Sequence, residues 1–108
     1  MEKISKRKFI ALLKDRMDLT YEDAKYVYEN FIGLMSDELL KGNKLILTGF
    51  GTIYLKTHKG HIVRNKHIDD YLYVKFVTSN VLNTQLQNDK ALFDKIAALN
   101  NEDDSDDE

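Results

Sequence analysis

Lys41-Gly42-Asn43-Lys44-Leu45-Ile46-Leu47-Thr48-Gly49-Phe50-Gly51 sets three structural events in one short run. Gly42 supplies a left-handed C-cap that stops a helix. Leu45 to Thr48 is apolar enough for a short strand, and Gly49-Phe50-Gly51 reads as a tight turn in which both glycines can take positive φ. Helix stop, strand and turn in immediate succession place the chain in the α+β class.

Upstream, Ala24, Val27, Tyr28, Phe31, Ile32, Met35 and Leu39 follow a 3.6-residue period that runs to Lys41. Thr20 suits the N-cap of this helix, with Asp23 at the third helical position near the positive helix end. Before it, Phe9, Ile10, Leu12, Leu13 and Met17 recur at helical spacing, giving a first helix from about Ser5 to Met17 that Asp18-Leu19 breaks. The apolar face of the second helix is wider than one short helix and a hairpin can cover, which predicts a dimer core.

Downstream, a second strand is expected from Thr52 to about His61 and a third from roughly Ile68 to Val77. The third sets Tyr71, Tyr73 and Lys75 on one face and Leu72, Val74 and Phe76 on the other, the alternation of a half-buried ribbon. Val63-Arg64-Asn65-Lys66 forms the tip between them. Ser79 can cap a short helix carrying Val81, Leu82 and Leu86. Asn88-Asp89 opens another helical pattern with Ala91, Leu92, Phe93, Ile96, Ala97 and Leu99.

The 108 residues fit one domain core, and no apolar run is long enough to span a membrane. The charged start Met1-Glu2-Lys3-Ile4-Ser5-Lys6-Arg7-Lys8 lacks the apolar centre of a secretion signal, so the chain is expected to remain in the cytoplasm. Without cysteine, disulfides, thiolate catalysis and cysteine-ligated zinc are excluded together. The formal net charge of −2 hides an asymmetry, because six of the 18 acids lie between Glu102 and Glu108. The rest sets 16 basic groups against 12 acidic ones, a net +4. The acidic block repels itself and is expected to be a disordered tail, either solubilising or competing for a basic surface.

From Lys6 to Gly51 the chain resembles the N-terminal half of the bacterial HU and integration host factor (IHF) family without a gap. The matching marks are Phe9-Ile10, Leu19-Thr20, Asp23-Ala24, Lys41-Gly42-Asn43-Lys44 and Gly49-Phe50-Gly51. Phe76-Val77-Thr78-Ser79-Asn80-Val81-Leu82 sits where the family has a phenylalanine, a turn and its final helix. The resemblance implies two N-terminal helices, a three-stranded sheet with a protruding β-ribbon arm, and a C-terminal helix, all in an intertwined dimer. That domain would span residues 1–87, followed by an additional amphipathic helix at 88–100 and the acidic tail at 101–108. The dimer core would take Val27, Tyr28, Phe31, Leu39, Leu47, Phe50 and Phe76.

The family implies paired arms that grip DNA in the minor groove, with a proline at each tip that unstacks a base step. This chain departs from that pattern. It has no proline, and Lys66 follows Arg64-Asn65 where the proline would stand. The stretch from Gly51 to Phe76 is about six residues shorter than usual, which costs each arm around 10 Å of reach. The turn before the final helix lacks the family's lysines. Phosphate contacts would fall to Lys3, Lys6, Arg7 and Lys8 at the first helix, and to Lys56, Lys59, Arg64, Asn65, Lys66 and Lys75 on the arm and sheet.

No catalytic set, cofactor or metal site is read from the sequence. His58, His61 and His67 cluster on the arm without a helical His-x3-His pair and are read as polar ribbon residues. Asp69 and Asp70 are adjacent on a strand, and so point to opposite faces. Two functions are expected. In the first, an architectural nucleoid protein, as a homodimer or a heterodimer with a related subunit, binds duplex DNA through backbone and shape with weak or no kinking. In the second, the fold is reused as a structural subunit, such as a phage virion ring or connector component. There Leu92, Phe93, Ile96 and Leu99 would contact other proteins in a larger assembly.

Overall fold

The computed structural model describes residues 1–102. Two compact units divide the chain, Met1–Met35 together with the segment from Lys90, and Ser36–Asp89. The expected acidic tail lies outside the described residues from position 103 on.

In the first unit, helix α1 spans Lys6–Met17 and helix α2 begins at Tyr21, running to Leu40. Ser5 caps α1 by accepting the Lys8 amide at 3.2 Å, and Thr20 Oγ1 likewise accepts the Asp23 amide at 3.2 Å. Asp18 ends α1 with φ of 55°, while the Leu19 amide reaches back to the Lys14 carbonyl at 3.0 Å. The break expected at Asp18-Leu19 is thus a left-handed cap on a non-glycine residue. Ile10 and Ala24 are the buried apolar side chains, and the Phe9 and Tyr28 rings meet at 5.6 Å. Helix α4 spans Lys90–Glu102 and so carries helix past the expected end at 100.

In the second unit, α2 ends in a Schellman arrangement. The Asn43 amide bonds to the Glu38 carbonyl and the Gly42 amide to the Leu39 carbonyl, with Gly42 at φ of 84°. Strands β1 (Leu45–Leu47), β2 (Gly51–His58) and β5 (Tyr71–Thr78) form an antiparallel sheet in the order β1-β2-β5. Gly49, at φ of 91°, takes the third position of the Leu47–Phe50 turn, where left-handed backbone favours glycine. Gly51 has a different reason for being glycine. A Cβ there would lie 2.5 Å from the Phe76 ring and 2.6 Å from the Val77 carbonyl. Close packing, not positive φ, requires it.

Strands β3 (His61–Val63) and β4 (Lys66–Ile68) form a separate two-stranded ladder. The expected second and third strands are therefore each interrupted, at Lys59-Gly60 and at Asp69-Asp70. Pairing keeps one register across the gap, from His58 opposite Tyr71 to His61 opposite Ile68. The Asp70 carboxylate accepts the Gly60 amide at the interruption, so a side chain stands in for a ladder bond. Arg64 and Asn65 close the arm with φ of 50° and 68°, the two left-handed positions of a type I′ turn. Helix α3 (Asn80–Gln87) follows β5, capped by Ser79, whose hydroxyl accepts the Leu82 amide at 3.1 Å.

Candidate nucleic-acid interface

Strand register sorts the sheet into two chemically distinct faces. On one face Leu45, Ile53 and Phe76 lie in a row, with Leu55 opposite Val74 and Thr57 opposite Leu72. This face is apolar, and Leu72 remains 65% exposed. On the other face Tyr54 lies opposite Lys75, Lys56 opposite Tyr73, and His58 opposite Tyr71. Each lysine here has a tyrosine as its cross-strand neighbour, and no residue of this face is acidic.

Ring and charge contacts order the second face. Lys44, immediately before β1, places its ammonium 4.9 Å from the centre of the Tyr54 ring, within cation–π range. His58 stacks on Tyr71 at 4.8 Å and 27°, and Tyr71 meets Tyr73 at 6.0 Å. Among the described residues, no carboxylate forms an ion pair with Lys44, Lys56 or Lys75. Their positive charge is available to an anion. Phosphates are anions that come in a regularly spaced row, and tyrosine rings between the lysines offer surfaces for sugars or bases.

The expected contacts at the N-terminus are placed differently. Lys6 pairs with Glu29 at 3.2 Å and Lys8 with Glu2 at 2.8 Å, both exposed. Lys3 and Arg7 are exposed as well. On the arm, Arg64 and Asn65 occupy the turn, Lys66 pairs with Val63 just after it, and Lys59 falls at the interruption. His67 Nδ1 lies 2.9 Å from the Asp69 carboxylate. The arm's acids are thus engaged locally, beside its basic residues.

Of the ten residues expected to touch DNA, Lys56 and Lys75 share the basic sheet face. Lys44 and Tyr54 join them without having been expected. For Tyr54 the signal was present in the sequence: folding the strands about Arg64-Asn65 brings position 54 opposite 75 and 56 opposite 73. The turn before α3 is used internally, since the Ser79 amide also donates to the Phe50 carbonyl at 2.9 Å. That bond ties the glycine-flanked phenylalanine to the start of α3.

The residues expected to form a dimer core are only partly covered in the single chain. Tyr28, Leu39 and Leu47 are half-buried, Val27, Phe31 and Phe76 are exposed, and Phe50 is 54% exposed although its ring meets Phe76 at 5.3 Å. On α4, Leu92, Ile96 and Leu99 are half-buried while Phe93 is 71% exposed. At the exit of α2, the Glu38 carboxylate accepts from Lys41 Nζ and Asn43 Nδ2, both at 2.9 Å. Those hydrogen bonds and the Lys41 charge hold the Glu38 carboxyl below its ordinary pKa, and Glu38 in turn raises that of Lys41. Among the described residues, no helix is long and apolar enough to cross a membrane.

Comparison with known proteins agrees with this architecture. The family model described as bacterial DNA-binding protein matches residues 4–87. The integration host factor subunit alpha of Polaromonas sp. is 28% identical over 94 residues, covering 82% of this chain and 85% of its own length. That of Psychrobacter cryohalolentis is 31% identical over 65 residues, 60% of this chain and 66% of its own. Among solved structures, the Anabaena HU–DNA cocrystal superposes with a TM-score of 0.72 at 16% identity, covering 79% of this chain and 99% of that one. An HU variant from Thermotoga maritima gives 0.60 at 17% identity, with 76% and 97% covered. The chain belongs to the bacterial DNA-binding protein family of HU and integration host factor, as a divergent member.

Proposed function

We propose that this protein is an architectural DNA-binding dimer that holds duplex DNA through its phosphate backbone and shape, without a proline wedge. The observation that carries the reading is the acid-free sheet face on which Lys44, Lys56 and Lys75 alternate with tyrosines, opposite an open apolar face. Lysine against phosphate releases counterions, so affinity is expected to fall steeply with salt. The apolar face, with Phe50 and Phe76, offers a surface on which a second subunit, identical or related, would pack. Lys3, Lys6, Arg7, Lys8, Lys59, Arg64, Asn65 and Lys66 add peripheral contacts.

Duplex titration of the full-length and tail-deleted protein at two salt concentrations tests the proposal, with mass measured in parallel. Each of Lys56→Gln and Lys75→Gln is expected to lower the salt slope by about 1 and to weaken binding evenly across sequences. Absence of duplex binding at low salt, even without the tail, would overturn it.

A second reading rests on Phe93, whose exposed ring projects from a helix beyond the matched residues 4–87. There α4 serves as a contact for a larger protein assembly. Phe93→Asp would then reduce the particle mass seen by light scattering. A dimer of unchanged mass that recovers no partner counts against this role.

A further inference from the structure

We infer that the outer face of α2 binds the same face of a second copy of this chain, in an antiparallel crossing centred on Gly33. Along this one unbroken helix, Tyr26, Glu29, Gly33, Asp37 and Leu40 follow steps of three and four residues and so share a stripe. Gly33 stands about two and a half turns from the buried Ala24, which turns the stripe away from the core. Its two large apolar members are open to water, Tyr26 at 70% and Leu40 at 82% exposed. Gly33 lies midway, seven residues from each. A Cβ added at 33 would meet nothing within 4 Å, and its φ is not positive. Neither crowding within the chain nor backbone strain therefore accounts for a residue that weakens a helix interior. The close approach of another helix does account for it, since a missing side chain at the crossing brings two axes to the short end of the usual separation of about 8–10 Å.

Symmetry and charge identify the occupant. A two-fold axis at Gly33 carries Tyr26 of one copy onto Leu40 of the other, and Leu40 onto Tyr26, so each open apolar side chain is covered by its counterpart. The same operation sets Asn30 beside Asp37 of the second copy. The Asn30 amide donates one N–H to the Tyr26 carbonyl at 2.8 Å and has another to give that carboxylate. On the same flank, Asp23 comes within about 3 Å of the level of Lys41 of the second copy, two residues at about 1.5 Å each. That pairs opposite charges twice across the axis. Glu29, also on the stripe, brings its own counterion in Lys6 at 3.2 Å. Phe31 lies on the opposite side of α2, so the contact leaves the proposed dimer core free and would join one dimer to the next.

The test exploits the absence of cysteine. Tyr26→Cys and Leu40→Cys each carry a single thiol, and under mild oxidation an equal mixture of the two full-length chains should form a disulfide-linked pair. Neither variant alone should link, because the crossing holds the two copies of either position about 21 Å apart along the axis, beyond disulfide reach. Sedimentation of the parent should show mass rising with concentration above that of a single dimer. Gly33→Ala favours the helix yet should weaken this association about tenfold, and Tyr26→Ser should weaken it by about tenfold or more. Asp23→Lys and Lys41→Asp should each weaken it and their combination restore it, a pattern that a change in fold stability alone does not produce. Circular dichroism checks the fold of every variant. Linking no better in the mixture than in the single variants would overturn the inference, as would a Gly33→Ala chain that associates like the parent. Duplex binding and the proposed dimer would stand after either result, since none of these positions belongs to the basic sheet face or to the expected dimer core.

Discussion

Two glycines flank Phe50, and they resist substitution for different reasons. Alanine at 49 meets open space but must hold φ of 91°, whereas alanine at 51 strikes the Phe76 ring and the Val77 carbonyl. Gly51→Ala is expected to cost about 1–3 kcal/mol, as overpacking does when backbone must shift. Gly49→Ala should cost about 1–2 kcal/mol from left-handed strain alone. Urea midpoints measure both, and only Gly51→Ala should be partly rescued by Phe76→Leu. The positive-φ requirement at 42 and 49 was legible because turns and caps are local. The requirement at 51 was not, because its cause is a residue 25 positions away. Glu38 gives a pH prediction at the same scale. Its carboxyl is held below the ordinary value by Lys41 and Asn43, so its stabilisation is present above the unfolded carboxylate pKa and lost as pH falls through the folded one. Lys41, raised by Glu38, contributes below the unfolded lysine pKa and loses that as pH rises through the folded one. Because the pair lies at the surface the effect is small, and Glu38→Gln, which removes the cause of both shifts, should flatten both the acid and the alkaline limb of a stability profile.

The arm is the element that departs most from a sequence reading. Alternation between Thr52 and His61 and between Ile68 and Val77 suggests two unbroken strands, since period-2 patterning does not register a backbone amide captured by a carboxylate. Asp70 does this with Gly60, and pairing resumes in the same register beyond. Asp70→Ala should therefore speed amide exchange at Gly60 and along β3 and β4, with β2 and β5 near the sheet unaffected. At the tip, Asn65→Gly relieves a left-handed non-glycine residue and should stabilise the hairpin by up to about 1 kcal/mol. Lys66→Pro, which places at the tip the residue that the family resemblance implies, should instead disrupt the hairpin. In a two-residue turn the closing residue donates its N–H across the ladder, and proline has none to give. A proline at 66 is thus incompatible with this two-residue turn. The ends of helices were readable in advance, as the exit at Gly42 and the entry at Ser79 show, because capping groups act within a few residues.

For the whole molecule, the sequence revealed the fold more fully than the interface. Helical periods and the glycine-flanked phenylalanine indicated the architecture. The basic face emerged only once register set Tyr54 against Lys75 and drew in Lys44, a residue outside any strand. The proposed dimer makes a further prediction. The thermal midpoint should rise with protein concentration, since folding and pairing are then linked. Phe50→Asp should unfold the chain at concentrations where the parent is folded. With Ile10 and Ala24 the buried apolar side chains among the described residues, a solitary copy of the proposed dimer is expected to offer a protease little resistance. Digestion by trypsin should slow as concentration rises. For the proposed dimer the consequence in a cell would be a matter of stoichiometry: copies that outnumber their mates would be destroyed while paired ones persist, so pairing, more than synthesis, would set how much of the protein there is.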